Sequence, residues 1–259
     1  MGDWDAGQYL RFAAPRLRPA LDLLARAEAA LARPPATVFD LGCGTGAVAG
    51  LALARWPGAA VTGVDGSPSM LDRARASDLA ATWVEADLAA WRPTVPADLV
   101  ISNAALHWLD HHDRLFRRLI QTLAPGGVLA VQMPRNFEAP SHALLDALAR
   151  EEPWRRRLEP LLRRTPVSTP EHYGRLLAPA AQSLDIWETT YLQILAGDAP
   201  VLEWMKGTLL RPLIDALEAD ERATFLDAYA GRLAEAYPRG ADGTTLFPFR
   251  RLFIVARRR

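Results

Sequence analysis

Through its first 133 residues the chain alternates short apolar runs with helix-forming stretches, and no other feature constrains the fold as tightly. Apolar runs at Thr37 to Leu41, Ala60 to Val64, Ala81 to Val84, Leu99 to Ser102 and Val128 to Gln132 read as strands. Between them lie helical stretches at Ala47 to Trp56, Ser67 to about Ser77 and Asp113 to Leu123, punctuated by Pro57-Gly58 and Pro125-Gly126-Gly127. Ser67 is expected to cap its helix, with Pro68 at the first position. Strands separated by helices pair in parallel, because each crossover returns the chain to the same end of the sheet. Right-handed crossovers then predict a doubly wound α/β fold.

Before this block, leucines at 17, 21, 24 and 31 mark a helix that Arg33-Pro34-Pro35 ends. After Met133 the pattern changes. Helices are expected at Ser141 to Ala149, Trp154 to Arg164, Glu171 to Leu177, Val201 to Leu210, Leu213 to Leu217 and Glu221 to Tyr237. Late strands are expected at Leu184 to Leu195 and Leu246 to Ala256, at the edge of the same sheet, making seven strands. The expected organisation is an N-terminal helical segment over 1–35 contributing to a cap, and a ligand-binding α/β core over 36–134. A helical insert follows over 135–183, then late strands over 184–259 that carry a second insert at 199–238, with the helices capping the carboxyl end of the sheet.

Thirty basic and thirty acidic residues cancel, so no global field favours nucleic acid or an anionic membrane. No uncharged apolar run reaches the ~18 residues of a membrane span. One cysteine, Cys43, excludes an internal disulfide, and the N-terminus lacks a basic and apolar leader. A cytoplasmic protein handling small molecules is expected, as a monomer or weak homo-oligomer. Lys206 is the only lysine, so an arginine is not marked as functional merely by being arginine. Arg150 to Arg164 holds six arginines and three glutamates, net +3, a stretch that could steer an anion or simply face water.

Chemistry concentrates in Asp40-Leu41-Gly42-Cys43-Gly44-Thr45-Gly46, which follows the first strand and opens a helix. Gly42, Gly44 and Gly46 allow a tight turn and bring backbone against a ligand. Asp65 ends the second strand, 19 residues beyond Gly46, where a carboxylate can accept two ribose hydroxyls. Gly44-x-Gly46-x-x-Ala49 also fits a nicotinamide dinucleotide fingerprint. Three features favour S-adenosylmethionine instead. Asp40 at the strand end would repel pyrophosphate yet can serve a sulfonium or amino group. Asp87, followed by Leu88, stands after the third strand, where an adenine amino group could be read. Leu123-Ala124-Pro125-Gly126-Gly127 leads into the fifth strand in the place methyltransferases have it. Asn103 ends the fourth strand and would face the methionyl portion, and Met70 could line the adenine pocket.

Other residue types read as structural. Cys43 is expected to be a small buried side chain in the loop. His111-His112 is expected to be a solvated helix start, since adjacent histidines rarely converge on one ion and no third ligand spacing appears; no metal site is expected. Trp91 and Trp108 are expected to be wall and core aromatics.

The chain as a whole resembles the trans-aconitate 2-methyltransferases, a family of bacterial class I methyltransferases. The residues that carry the likeness are Asp3-Trp4, Tyr9-Leu10-x-Phe12, Arg18-Pro19-Ala20, the Asp40 to Gly46 loop, Glu85-Ala86-Asp87 and Val128 to Pro134. Further along they are Tyr173, Asp185-Ile186-Trp187-x-Thr189-x-Tyr191, Trp204, Leu210-Arg211-Pro212 and Arg251 to Ala256. The resemblance implies esterification of one carboxylate of trans-aconitate. A carboxylate, with an ordinary pKa near 4, is already an anionic nucleophile, so proximity and orientation would replace a catalytic base. A polycarboxylate needs cationic clamps; the candidates are Arg18, Arg211 and Arg251, with Tyr9 and Tyr173 as hydroxyl donors. Thr45, His107, Leu209 and Arg250 depart from the expected Pro, Gln, Gly and Pro, and three of these bear on the acceptor. Another small acid as acceptor, and a non-catalytic module that only binds S-adenosylmethionine, are the competing expectations.

Overall fold

A computed structural model describes residues 13–162, 166–207 and 209–259, the side chains of 13–16 excepted. The elements in chain order are α1 (Ala13–Ala30), β1 (Thr37–Leu41), α2 (Ala47–Arg55), β2 (Ala60–Asp65), α3 (Pro68–Arg75), β3 (Thr82–Glu85), β4 (Ala97–Asn103), α4 (His112–Gln121) and β5 (Leu123–Pro134). They continue as α5 (Pro140–Ala149), α6 (Arg155–Leu158), α7 (Pro170–Leu177), β6 (Ala181–Ala196), α8 (Pro200–Lys206), α9 (Arg211–Asp215), α10 (Ala219–Ala236) and β7 (Thr244–Arg258).

The sheet has the order β3-β2-β1-β4-β5-β7-β6. β1 pairs in parallel with β2 and β4, β2 with β3, and β4 with β5, while β7 is antiparallel to β5. Both late strands thus join the edge expected of them. The chain reverses its winding between β1 and β4, which places a crevice at the carboxyl ends of those two strands. Ser102 Oγ donates to the Leu41 carbonyl at 2.8 Å and ties the two strand ends together there.

Strands β1, β2, β4 and β5 owe their place to burial, while β3 at the edge of the sheet is only partly covered. Val38, Leu41, Val64, Leu99, Val100, Ile101, Val128, Leu129, Ala130 and Val131 are all at or below 3% exposure. Such near-continuous apolar runs are what a parallel sheet covered on both faces requires.

Several element ends differ from the sequence reading, among them the helix expected over Val201 to Leu210, which ends at Lys206, and one expected cap differs too. α4 ends at Gln121 and β5 begins at Leu123, because Leu123 pairs with Ala97 across a register shift. Pro125-Gly126-Gly127 therefore lies inside a bulged strand rather than in a loop. The helix expected from Trp154 is one turn, Arg155–Leu158, followed by a 3-10 turn, Glu159–Leu161; Arg163 and Arg164 lie outside the described residues. Ser67 does occupy the N-cap of α3, but its hydroxyl meets Ser69 Oγ at 3.2 Å and caps nothing.

The chain divides into two compact units. One holds residues 14–135, 166–189 and 251–259, and with them β1 to β5 and parts of β6 and β7. The other takes in 136–162 and 190–250 among its described residues. This second unit has a core of its own, in which Trp204, Phe225, Tyr229 and Phe247 are fully buried. Tyr229 donates to the Ser141 carbonyl at 2.6 Å and Tyr237 accepts from Ser141 N–H at 3.0 Å, so α5 is tied to α10 and its end. Its arginine-rich stretch is engaged in exposed ion pairs: Arg150 with Asp146 and Glu159, Arg155 with Glu159, Arg157 with Glu221. Pairs of that kind contribute little each. Among the described residues no helix is long and apolar enough to cross a membrane.

Candidate active site

The glycine loop is built by backbone geometry. Gly42 and Cys43 both donate to the Val64 carbonyl, at 2.7 and 3.2 Å, and Gly46 N–H closes a turn onto the Cys43 carbonyl at 2.9 Å. Gly42, Gly44 and Gly46 all have positive φ, at 74, 55 and 86°. Their missing side chains serve different ends. A Cβ on Gly42 would lie 2.1 Å from the Cβ of Ala105, so this glycine lets the segment after β4 close onto the loop. A Cβ on Gly44 would meet nothing within 4 Å, so its backbone borders open space that a ligand can fill. Beneath Gly46 and Gly63 lies the ring of Trp83, a residue the sequence reading does not single out.

Two carboxylates sit at this loop in contrasting states. Asp65, half-buried, accepts from Gly44 N–H at 2.8 Å and from Ser67 N–H at 2.9 Å, one through each oxygen. Asp40 is 1% exposed, and its Oδ2 has no hydrogen-bond partner. Burial, and the neighbouring Asp65 charge, push its pKa up to about 7, while a hydrogen bond from the Ala49 backbone pulls the other way. A buried carboxylate left with an unsatisfied oxygen is costly unless something positive completes it. Cys43 is 6% exposed, and burial pushes its thiol far up, so it is no nucleophile.

The remaining candidates for the cofactor fall along the same strand ends. Asn103 is the last residue of β4, and its side-chain oxygen is buried without a partner. Met70 is buried in the first turn of α3. Leu88 lies so that its Cδ1 would be 3.6 Å from a Cβ on Gly42. Asp87 is exposed and shapes its own turn. Its Oδ1 accepts from Ala89 N–H at 2.9 Å, and Trp91 N–H closes the turn on the Asp87 carbonyl. Arg118 of α4 clips that turn, donating to the Leu88 carbonyl at 2.8 Å and also to the Ala89 carbonyl. Nothing in the sequence distinguishes Arg118 from the other arginines, so sequence reasoning passes over it. Trp91 is buried and packs edge-on against Phe39 at 5.1 Å, whereas Trp108 is only half-buried, beside His107 at 4.8 Å.

The acceptor candidates separate. Tyr9 lies outside the described residues. Arg18 is exposed on α1. Arg251 is 5% exposed and donates to Gln132 Oε1 at 3.1 Å; Gln132 in turn lies opposite Asn103 in the β4–β5 register. Arg211 belongs to the second unit, where it is exposed and bonded to Asp215 at 3.2 Å. Tyr173 is fully buried, and its hydroxyl is committed to His112 Nδ1 at 2.5 Å and Ser168 N–H at 3.2 Å, so it does not present a donor to a ligand. His112 corrects a second expectation. His111 is exposed, but His112 is 4% exposed and hydrogen-bonded at both ring nitrogens, because Tyr173 and the Leu106 carbonyl reach it from elsewhere in the fold. Among the described residues no group of His, Cys, Asp or Glu could hold a metal ion.

The arrangement suits a cationic nucleoside. Open backbone at Gly44, an acid beside it, an incomplete buried carboxylate at Asp40 and an open amide oxygen at Asn103 offer acceptors and negative charge, which a pyrophosphate would not find favourable.

Comparison with known proteins agrees. A family model described as a methyltransferase domain matches residues 38–127. The chain is 50% identical over its whole length to the trans-aconitate 2-methyltransferase of Methylobacterium nodulans, covering 99% of that protein. It is 48% identical to that of Streptomyces coelicolor, with 98% of this chain and 86% of the relative covered, and 46% identical to that of Azoarcus sp., with 99% of each covered. In fold it is similar to a plantazolicin methyltransferase solved with S-adenosylhomocysteine, at a TM-score of 0.53 and 13% identity over 94% of this chain and 85% of that one. It is likewise similar to the YcgJ protein of Bacillus subtilis, at a TM-score of 0.56 and 16% identity over 92% of this chain and 97% of the other. The chain is therefore an S-adenosylmethionine-dependent methyltransferase and belongs to the trans-aconitate 2-methyltransferase family.

Proposed function

We propose that this enzyme esterifies one carboxylate of trans-aconitate, and that it does so by holding two substrates in line rather than by moving a proton. The observation that carries the reading is the likeness at 50% identity, end to end, to a relative named for that acceptor. S-adenosylmethionine supplies the methyl group as a sulfonium electrophile and leaves as S-adenosylhomocysteine.

On this reading Asp65 keeps lone pairs for the ribose hydroxyls beyond those used by Gly44 and Ser67. Asp40 balances the positive charge of the methionyl end, Asn103 accepts from the same portion, and Met70, Asp87 and Leu88 border the adenine. The acceptor needs no general base, since its carboxylates are ionised well below neutrality. Orientation matters instead, with reacting atoms brought to about 3 Å. Arg251, buried beside Gln132 at the carboxyl end of β5, is the residue we assign to a carboxylate that does not react. Tyr9, Arg18 and Arg211 are assigned to the acceptor on their motifs alone. A single buried thiol, and the lack of a membrane-crossing helix among the described residues, are consistent with a cytoplasmic enzyme.

The test is mass spectrometry of products formed from S-adenosylmethionine and a panel of di- and tricarboxylates. A monomethyl ester formed fastest from trans-aconitate supports the proposal. Faster esterification of another acid would move the specificity to that acid, and cofactor binding with no ester from any acid would leave only a binding module.

A further inference from the structure

Tyr173 and His112 stand 61 residues apart in sequence and meet inside the fold at 2.5 Å. The directions of their hydrogen bonds follow from the end of the chain of contacts. The Leu106 carbonyl can only accept, so His112 Nε2, 3.0 Å away, carries the proton. A neutral imidazole has one N–H, so Nδ1 accepts and the Tyr173 hydroxyl donates to it. Ser168 N–H donates to the phenol oxygen from behind at 3.2 Å. The result is one continuous line: Ser168 N–H to Tyr173, Tyr173 to His112, His112 to the Leu106 carbonyl. Phe116 packs against both rings, at 4.8 Å from Tyr173 and 5.3 Å from His112. His172 adds a clasp from the same helix, with Nε2 2.7 Å from Asp113.

What this line holds is the segment between β4 and α4. It starts at Asn103, enters a left-handed conformation at Ala104, φ 54°, and ends in another at His111, φ 59°. Both are conformations that residues other than glycine adopt at a cost, and they persist only where the surroundings enforce them. Ala105 rests in the space that Gly42 leaves free. Leu106 opens a 3-10 turn that carries His107. A bond to the Leu106 carbonyl therefore acts one residue away from the contact with the cofactor loop and three from Asn103.

We propose that Tyr173 and His112 are positioning residues: through the Leu106 carbonyl they set the Asn103 to Leu109 segment against the glycine loop, and Tyr173 acts on methyl transfer without touching the acceptor. The inference rests on the site reading above, and the test separates the two. S-adenosylhomocysteine affinity by calorimetry does not depend on the acceptor, while kcat and KM with trans-aconitate do.

Tyr173→Phe and His112→Phe in the full-length enzyme are each expected to weaken S-adenosylhomocysteine about tenfold and lower kcat about tenfold, with KM for trans-aconitate within about twofold. The double variant is expected to be no worse than either single one, since both break the same line. His112→Gln, whose amide can still donate to the Leu106 carbonyl, is expected to recover most of both losses. A rise in acceptor KM with kcat and S-adenosylhomocysteine affinity preserved would make Tyr173 a direct acceptor contact and overturn the proposal. Lower thermal stability with unchanged affinity and kinetics would reduce the pair to core packing and overturn it equally. If the wild-type enzyme esterified no acid, the acceptor reading would fall, and the affinity arm would still decide the positioning role.

Discussion

Asp40 carries a clear electrostatic consequence. With its pKa near 7 in the ligand-free protein, the carboxyl is half-protonated at neutrality. A bound cation favours the carboxylate, so ligand binding expels the proton below that pH. S-adenosylmethionine affinity is expected to level off above about pH 8 and to fall about fivefold between pH 7 and pH 6, tending to one proton released per molecule bound at lower pH. Calorimetry in buffers of different ionisation enthalpy reads both quantities. The sign for stability is opposite to that of most carboxylates. The folded chain retains a proton that the unfolded chain, with an ordinary value of 3.8, has lost, so this residue's contribution to stability declines as pH rises from about 4 to 7. Asp40→Asn is therefore expected to raise the melting temperature of the ligand-free protein at pH 8 by several degrees while removing most of its affinity for the cofactor. The glycines give a matched pair. Gly44→Ala is expected to cost only about 1–2 kcal/mol, from its left-handed backbone, yet to weaken S-adenosylhomocysteine about tenfold. Gly42→Ala would bring its Cβ to 2.1 Å from that of Ala105 and is expected to destabilise the fold by more than that, as read by urea unfolding. The meeting of Asp40, Gly44 and Asp65 at one loop is legible in the sequence because it depends on local spacing after a strand. His112 is not, because a histidine at the start of a helix looks solvated until a tyrosine from a distant helix is packed over it.

At the level of elements, the turn after β3 depends on a residue from another part of the fold. Arg118 holds the Leu88 and Ala89 carbonyls from α4, and Leu88 reaches the cofactor loop. Arg118→Met keeps the apolar stem but loses these donors. It is expected to weaken S-adenosylhomocysteine by about three- to tenfold with little change in KM for the acceptor, measured by calorimetry and steady-state kinetics. All seven strands can be read from the sequence: β1, β2, β4 and β5 from short apolar runs bounded by glycine, proline or an acid, and the long late strands β6 and β7 from their β-branched and aromatic residues. The ends are harder. β5 starts at Leu123 because a bulge lets the chain pair before the glycines, and a bulge is a property of two strands rather than of one. The Trp154 to Arg164 stretch has a helical pattern, yet among its described residues only Arg155–Leu158 and a 3-10 turn form, with Pro160 in that turn.

The whole molecule is two units with separate cores, and the family likeness runs through both. In the second unit, Arg211 is the residue whose role rests on its motif alone. Arg211→Ala is expected to raise KM for trans-aconitate at least tenfold and to leave S-adenosylhomocysteine affinity within about twofold. Its ion pair with Asp215 is exposed on both sides, so losing it should disturb the fold little. The organisation into a sheet with helical insertions is legible from the change of pattern after Met133. The role of Tyr173 is not, since its motif suggests a donor to the acceptor and only packing shows where the hydroxyl goes. The central claim is that the crevice at the ends of β1, β2 and β4 holds a sulfonium nucleoside. A crystal structure grown with S-adenosylhomocysteine addresses it directly. The account predicts ribose hydroxyls on Asp65, the amino acid portion near Asp40 and Asn103, and the backbone of Gly44 in contact with the ligand; a ligand bound elsewhere, or Asp40 still buried with an unsatisfied oxygen in the complex, would contradict it.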